Sequence, residues 1–299
     1  MGLHCVRTLL LFLVGLHCVR TLLQLVVPLH CVRTLILGLL FGSIASSLNA
    51  AELPLRAARW LSPQVQIQAL TQQPTECLRV PVDLQAAQRV AIGRAAFRTP
   101  LLLGGQAARA GLSCNSCHRN GRGNPDFQLR GLSGAPGTAD VSSSLMSSHR
   151  GDGVSNPTAI PDLSSAAQKV SRDPADPALA LFIRGLIVEE FDGPAPAPLT
   201  LDGIVHYVRA LDPEACPTES EQPIRLADHV SAVRSAVRSA QFALDAGSPA
   251  TARLMLASAR SELQMIDERY ALPALTDDRR QLHQADLELS LIQQALDAD

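Results

Sequence analysis

Two cysteines three positions apart, followed at once by a histidine, make Cys114-Asn115-Ser116-Cys117-His118 the stretch best suited to chemistry. C-x-x-C-H is the attachment pattern of a c-type haem: each thiol adds across one vinyl group, and the histidine lies under the ring as proximal ligand to iron. With 7 cysteines and 8 histidines in 299 residues, the pattern is expected by chance roughly 0.004 times per chain, treating residues as independent. Two other readings use the same residues. A structural zinc site wants two further ligands, and a redox-active C-x-x-C would leave the histidine accidental.

An iron atom bound by His118 has a second axial side. Met146 and His149, which lie 28 and 31 residues past His118, are the candidates for it within Ser142-Ser143-Ser144-Leu145-Met146-Ser147-Ser148-His149. Met146 beside Leu145 also reads as core packing, and His149 in a polar, glycine-flanked loop as simple exposure. The remaining possibility is an open or water-filled site. His206 is a weaker rival, because its neighbours bury the opposite face of their helix.

The elements that position the motif lie on either side of it. Asp83 can cap a helix whose apolar positions Ala87, Val90, Ala91, Ala95 and Phe97 lead to a break at Thr99-Pro100. Leu201 to Leu211 is a second amphipathic segment, with Ile204, Val205, Val208 and Leu211 on one face. Between His118 and Asp202 the chain is rich in Gly, Pro and Ser and reads as loops, with Gly131 to Gly137 and Pro194 to Pro198 the clearest.

A first helix with Gly93-x-x-x-Phe97, then C-x-x-C-H, then a final helix carrying Tyr207 resembles the cytochrome c fold. The resemblance implies that the two terminal helices cross, with Gly93 allowing close contact beside Tyr207. Residues 83–212 are similar to the haem domains of bacterial di-haem cytochrome c peroxidases. The longer insertion between Phe97 and Cys114, the Asn156-Pro157 loop and the Phe191-Asp192-Gly193 turn carry that similarity. No second C-x-x-C-H occurs in the chain, so a two-haem peroxidase cannot be assembled from it alone.

Residues 1–50 read as an address label. They hold no acidic residue, and Leu-His-Cys-Val-Arg-Thr-Leu begins at Leu3, Leu16 and Leu29, a repeat too short for a solenoid unit. Its cysteines, Cys5, Cys18 and Cys31, read better as duplicated signal sequence than as metal ligands. The apolar run Thr34 to Ala45 after Arg33, with small residues following, predicts a secretory signal peptide cut after Ala50 or Ala51. Arginines 7, 20 and 33 interrupt the apolar runs, so a membrane association follows only if the segment is retained. Export to the periplasm agrees with covalent haem attachment. It also leaves Cys77 and Cys216 as the unassigned pair of the mature chain, a candidate disulfide in an oxidising compartment.

The whole chain has a formal charge of −2, and loss of the signal leaves 23 basic against 28 acidic residues, a net charge of −5. Without a basic tract to neutralise phosphates, nucleic acid is excluded as partner. Lys169 is the only lysine, so a charged docking face must use arginines or carboxylates. Residues 51–82 form an N-terminal extension with no assigned activity, and 83–216 the haem domain. After the linker at 213–223, residues 224–299 carry three stripes of helical period. These begin at Val230, Ala252 and Leu282, with breaks at Gly247-Ser248-Pro249 and Leu272-Pro273. His229 and His283 fall on their polar faces.

The expected fold is all-α: a cytochrome c-like haem domain followed by a three-helix antiparallel bundle. The expected function is periplasmic electron carriage by one covalently bound haem c, with periplasmic redox proteins as partners and no catalytic residues. The alternative is a peroxidase-like haem enzyme or a gas sensor with an open distal position.

Overall fold

The first long helix forms where Asp83 accepts a hydrogen bond from Ala86 N at 2.8 Å, a cap of about 1 kcal/mol. In the computed structural model, residues 61, 64–142, 145–149, 153–165, 170–171 and 173–296 are described. The stretch read as a signal peptide, with its repeats and Cys5, Cys18 and Cys31, together with Trp60 and Lys169, lies outside the described residues. The elements in order are α1 (Gln66–Thr71), β1 (Gln72–Pro74), α2 (Leu84–Phe97), α3 (Gly105–Arg109) and α4 (Cys114–Cys117). After the two-residue strands β2 (Thr138–Ala139) and β3 (Thr158–Ala159) come α5 (Ala178–Gly185) and α6 (Pro198–Ala210). The chain ends with β4 (Glu221–Pro223), α7 (Leu226–Asp245), α8 (Pro249–Arg269) and α9 (Thr276–Ala295). The protein is mostly helical, with few and short strands.

Helices α2 and α6 cross in close contact. A Cβ built on Gly93 would overlap the backbone carbonyl of Gly203, so the approach is glycine against glycine. The sequence placed Tyr207 beside Gly93. In the structure Tyr207 meets Phe97 one turn further on, ring centroids 5.1 Å apart, and is wholly buried. Two glycines let the backbones touch, and the aromatic pair packs one turn further along.

The segment before α2 is woven into this crossing. β1 pairs antiparallel with β4, Gln72 opposite Pro223, and Leu78 bridges to Leu211. Cys77 and Cys216 are disulfide-bonded, their Cα atoms 4.1 Å apart and 139 residues apart in sequence, so the pairing expected from the cysteine count is present. Residues 213–223, which read as a linker, are therefore tied down by a covalent bond and a strand pair.

Within the stretch read as loops, α5 continues through a π-helical turn at Leu186–Glu190. Leu179, Ile183 and Ile187 recur every four residues and are buried. At the other end, α7 and α8 are joined by Ala246-Gly247-Ser248, with Gly247 at φ 70° where the chain reverses. Helix α9 runs antiparallel to α8, since Arg260 meets Asp286 at 2.8 Å and Arg279 meets Asp267 at 2.7 Å. Both α7 and α8 pack on α2, and Thr200 of α6 shares a buried 2.9 Å hydrogen bond with Thr251. One apolar core runs continuously from α2 and α6 into α7 and α8. His229, expected on a polar face, is instead nearly buried, with Nδ1 2.7 Å from Glu262. His283 remains exposed beside Asp267 at 3.1 Å.

Candidate functional site

Helix α4 is one turn long and begins where Ser113 N donates to Ser116 Oγ at 3.0 Å. Asn124 Nδ2 donates to Ser116 O at 2.8 Å from outside the turn. One helical turn sets residues 114 and 117 on the same side, so Cys114 and Cys117 project together. Both are free thiols that pack against the central apolar core. Burial in these surroundings pushes each thiol up to about 12, Cys117 with a further contribution from Cys114, so both stay protonated near neutral pH.

His118 leaves the helix with its N–H donating to Cys114 O at 2.8 Å. Its Nδ1 lies 3.0 Å from Pro161 O. A carbonyl oxygen only accepts, so the ring proton sits on Nδ1 and the Nε2 lone pair is left to bind a metal. Burial pushes the imidazole down to about 4, against the opposing effects of the Pro161 carbonyl and Asp162. The ring is therefore neutral across the physiological range. Phe97 stands 6.4 Å away, linking His118 to the α2–α6 crossing.

The chain beyond His118 is fixed by groups that motif reading did not find. Asn120 has φ 52° and Gly121 φ 74°, a reversal in which Gly121 N donates to His118 O at 2.9 Å. Asn120 N donates to Asn115 Oδ1 at 2.9 Å, closing the turn onto the motif itself. Its side chain accepts from Arg98 at 2.6 Å and donates to Pro74 O at 2.8 Å. Arg98 and Arg94 both reach Glu76, at 3.3 and 2.8 Å, and Tyr207 donates its hydroxyl proton to Glu76 at 2.8 Å. Burial pushes the Glu76 carboxyl up, but Arg98, Arg94 and the Tyr207 hydroxyl together hold it below the usual carboxylate range. The Asn120-Gly121 dipeptide was a turn signal available in the sequence. Nothing local marked Glu76.

No family model, curated protein or solved structure matches this chain. The residues therefore carry the reading by themselves. Among the described residues no group of three or more His, Cys, Asp or Glu side chains is arranged to hold a metal ion. The donor set present is two adjacent unpaired thiols, one neutral imidazole with its proton held away from Nε2, and apolar surroundings. Two thiols and an imidazole are the donor types that hold a c-type haem.

The two candidates for the other axial position are placed differently. Met146 is 4% exposed and belongs to the apolar core against which Cys114 and Cys117 also pack. His149 is exposed, its Nδ1 2.8 Å from Asp192 Oδ1. Ser148 N donates to the same carboxylate at 2.8 Å. These contacts hold Asp192 below the usual carboxylate range. His206 donates Nδ1–H to Asp202 O of its own helix at 2.8 Å.

Proposed function

We propose that this chain is an exported c-type cytochrome holding one haem through Cys114 and Cys117, with His118 as proximal ligand. It carries single electrons between periplasmic redox proteins. On this reading the residues of 83–216 form a cytochrome c-like haem domain, and 224–299 a three-helix antiparallel bundle folded against it. The observation that carries the proposal is the 3.0 Å contact of His118 Nδ1 with Pro161 O. It fixes tautomer and ring orientation as a metal-ligating histidine requires.

Haem supplies a one-electron iron couple in a low-dielectric setting. The chain's own contributions follow from the site. The two half-buried thiols would tether the group, and His118, its proton held on Nδ1 by Pro161, would offer Nε2 to the iron. Of the two candidates we take Met146 as sixth ligand, because its thioether is buried among apolar side chains while His149 is exposed and paired with Asp192. A thioether from Met146 would favour ferrous iron and raise the potential relative to a second histidine.

The test is the visible spectrum of the purified protein in both oxidation states. Low-spin iron, with a weak ferric band near the red end that disappears in Met146→Ala, is the expected result. High-spin ferric iron that readily takes up peroxide or a diatomic gas in the wild-type protein would select the enzyme or sensor alternative instead.

A further inference from the structure

His118 offers its Nε2 correctly only if two things hold still: the backbone that carries the ring and the carbonyl that receives its Nδ1 proton. These belong to segments 43 residues apart in the chain. One turn touches both. Gly121 N donates to His118 O at 2.9 Å, and Gly121 O accepts from Leu163 N at 2.9 Å. Next to it, Arg122 Nε reaches Asp162 at 2.6 Å. Residues 120–122 thus clamp the proximal histidine on one side and the Pro161 segment on the other.

Asn120 joins that turn to Arg98 and to Pro74, beside Arg119, which ties it to Ala69 O and Gln72 O. Asn120 is a non-glycine residue at φ 52°, a conformation that asparagine tolerates better than most residues but that still needs support. Its amide receives Arg98, the residue that ends α2, at 2.6 Å and gives a proton to Pro74 O at 2.8 Å, while its N–H goes to Asn115 inside the C-x-x-C-H. Arg98 is fixed in turn by Glu76, which is 11% exposed and also holds Arg94 and Tyr207. The disulfide at Cys77 pins the segment bearing Glu76 one residue further on.

We propose that Asn120 is a positioning residue for the proximal ligand, setting His118 and its Pro161 acceptor together, and that Glu76 acts through Arg98 to hold it. The inference rests on the single-haem reading above and adds a determinant of the strength of the iron–histidine bond. The segment 72–77, which has no motif of its own, then contributes to the electronics of the site.

Asn120→Gly separates positioning from folding. Glycine adopts φ 52° without strain, so the turn survives while both side-chain bonds are lost. The probe is nitric oxide added to the ferrous holoprotein, since it weakens the bond trans to itself and releases a loosely held histidine. Five-coordinate and six-coordinate nitrosyl haem differ in Soret position. In Asn120→Gly the five-coordinate fraction is expected to rise and the reduction potential to shift. Asn120→Asp keeps an acceptor for Arg98 and is expected to restore both readouts towards wild type. Arg98→Lys leaves Asn120 and the turn in place but shortens the donor, and is expected to move both readouts in the same direction to a smaller extent. It supplies the test should the glycine variant fail to accumulate folded. Unchanged nitrosyl coordination and potential in a folded Asn120→Gly or Arg98→Lys protein with haem attached would overturn the proposal. A wild-type protein without covalent haem would instead overturn the reading beneath it.

Discussion

Gly93→Ala puts a methyl group where the backbone of α6 already lies. The added Cβ would overlap the carbonyl of Gly203 and stand 2.8 Å from Ile204 N. These are main-chain atoms, so no side-chain rotation relieves the clash and the two helices must separate. Overpacking of this kind costs about 1–3 kcal/mol, occasionally more. The better helix propensity of alanine returns at most about 1 kcal/mol. Separation also draws Tyr207 away from Glu76, 2.8 Å distant in the native crossing, so the upper part of the range applies and a net loss of about 2 kcal/mol is expected. For a chain of this size that lowers the unfolding midpoint by roughly 4–8 °C. Gly185→Ala is the control. It sits in right-handed helical backbone at φ −59° with nothing within 4 Å of the added methyl, and should gain about 0.5–1 kcal/mol. Thermal unfolding followed by far-ultraviolet circular dichroism compares the two. A Gly93→Ala protein that melts at or above the wild-type temperature would refute the close crossing.

Other outcomes follow from single contacts. Replacing Cys77 and Cys216 by serine opens a bridge spanning 139 residues; on the chain-entropy model this costs up to about 5 kcal/mol, readable as a lower denaturant midpoint, and non-reducing peptide mapping that found two free thiols would contradict the bridge. Glu76→Gln leaves Arg98 buried without its counter-charge and should cost about 3–5 kcal/mol at neutral pH. The folded carboxyl titrates below its ordinary value, so its contribution is present above the unfolded pKa and is lost as pH falls through the folded one. The gap between wild type and Glu76→Gln should therefore narrow on acidification, and a gap that widens would contradict the ion cluster. His149→Ala, which removes an exposed partner of Asp192, should leave the iron spectrum unchanged. Loss of low-spin character in that variant would move the sixth ligand from Met146 to His149.

The motif was legible because its chemistry is local. Five consecutive residues state two thiols and an imidazole, and Asp83, Thr99-Pro100 and Gly247 mark element ends through their own backbone preferences. Helix α5 was legible in principle, since Leu179, Ile183 and Ile187 keep helical spacing, but the surrounding Gly, Pro and Ser content outweighed a stripe of three. The glycine pairing was half legible. Gly93 was singled out, but its contact with Gly203 depends on the register between helices more than 100 residues apart, which no local pattern encodes. Glu76 shows the limit most clearly. A lone carboxylate in an extended segment has no spacing to read. Its role comes from Arg94 in the last turn of α2, Arg98 at its C-terminal end, a tyrosine on α6 and a disulfide beside it. His229 differs from expectation for a related reason: Glu262 on the neighbouring helix lets an imidazole stay paired in a nearly buried position that sequence alone would leave at the surface.

Covalent attachment of one haem is the claim on which the rest depends. The direct measurement is the intact mass of the protein expressed from its full sequence in a bacterium that attaches c-type haem, compared before and after acid–acetone extraction. The expected result is a mature chain heavier by one haem, with the pigment retained on the protein and absent in Cys114→Ser/Cys117→Ser. A chain of apoprotein mass, or haem that passes into the acetone, would contradict it.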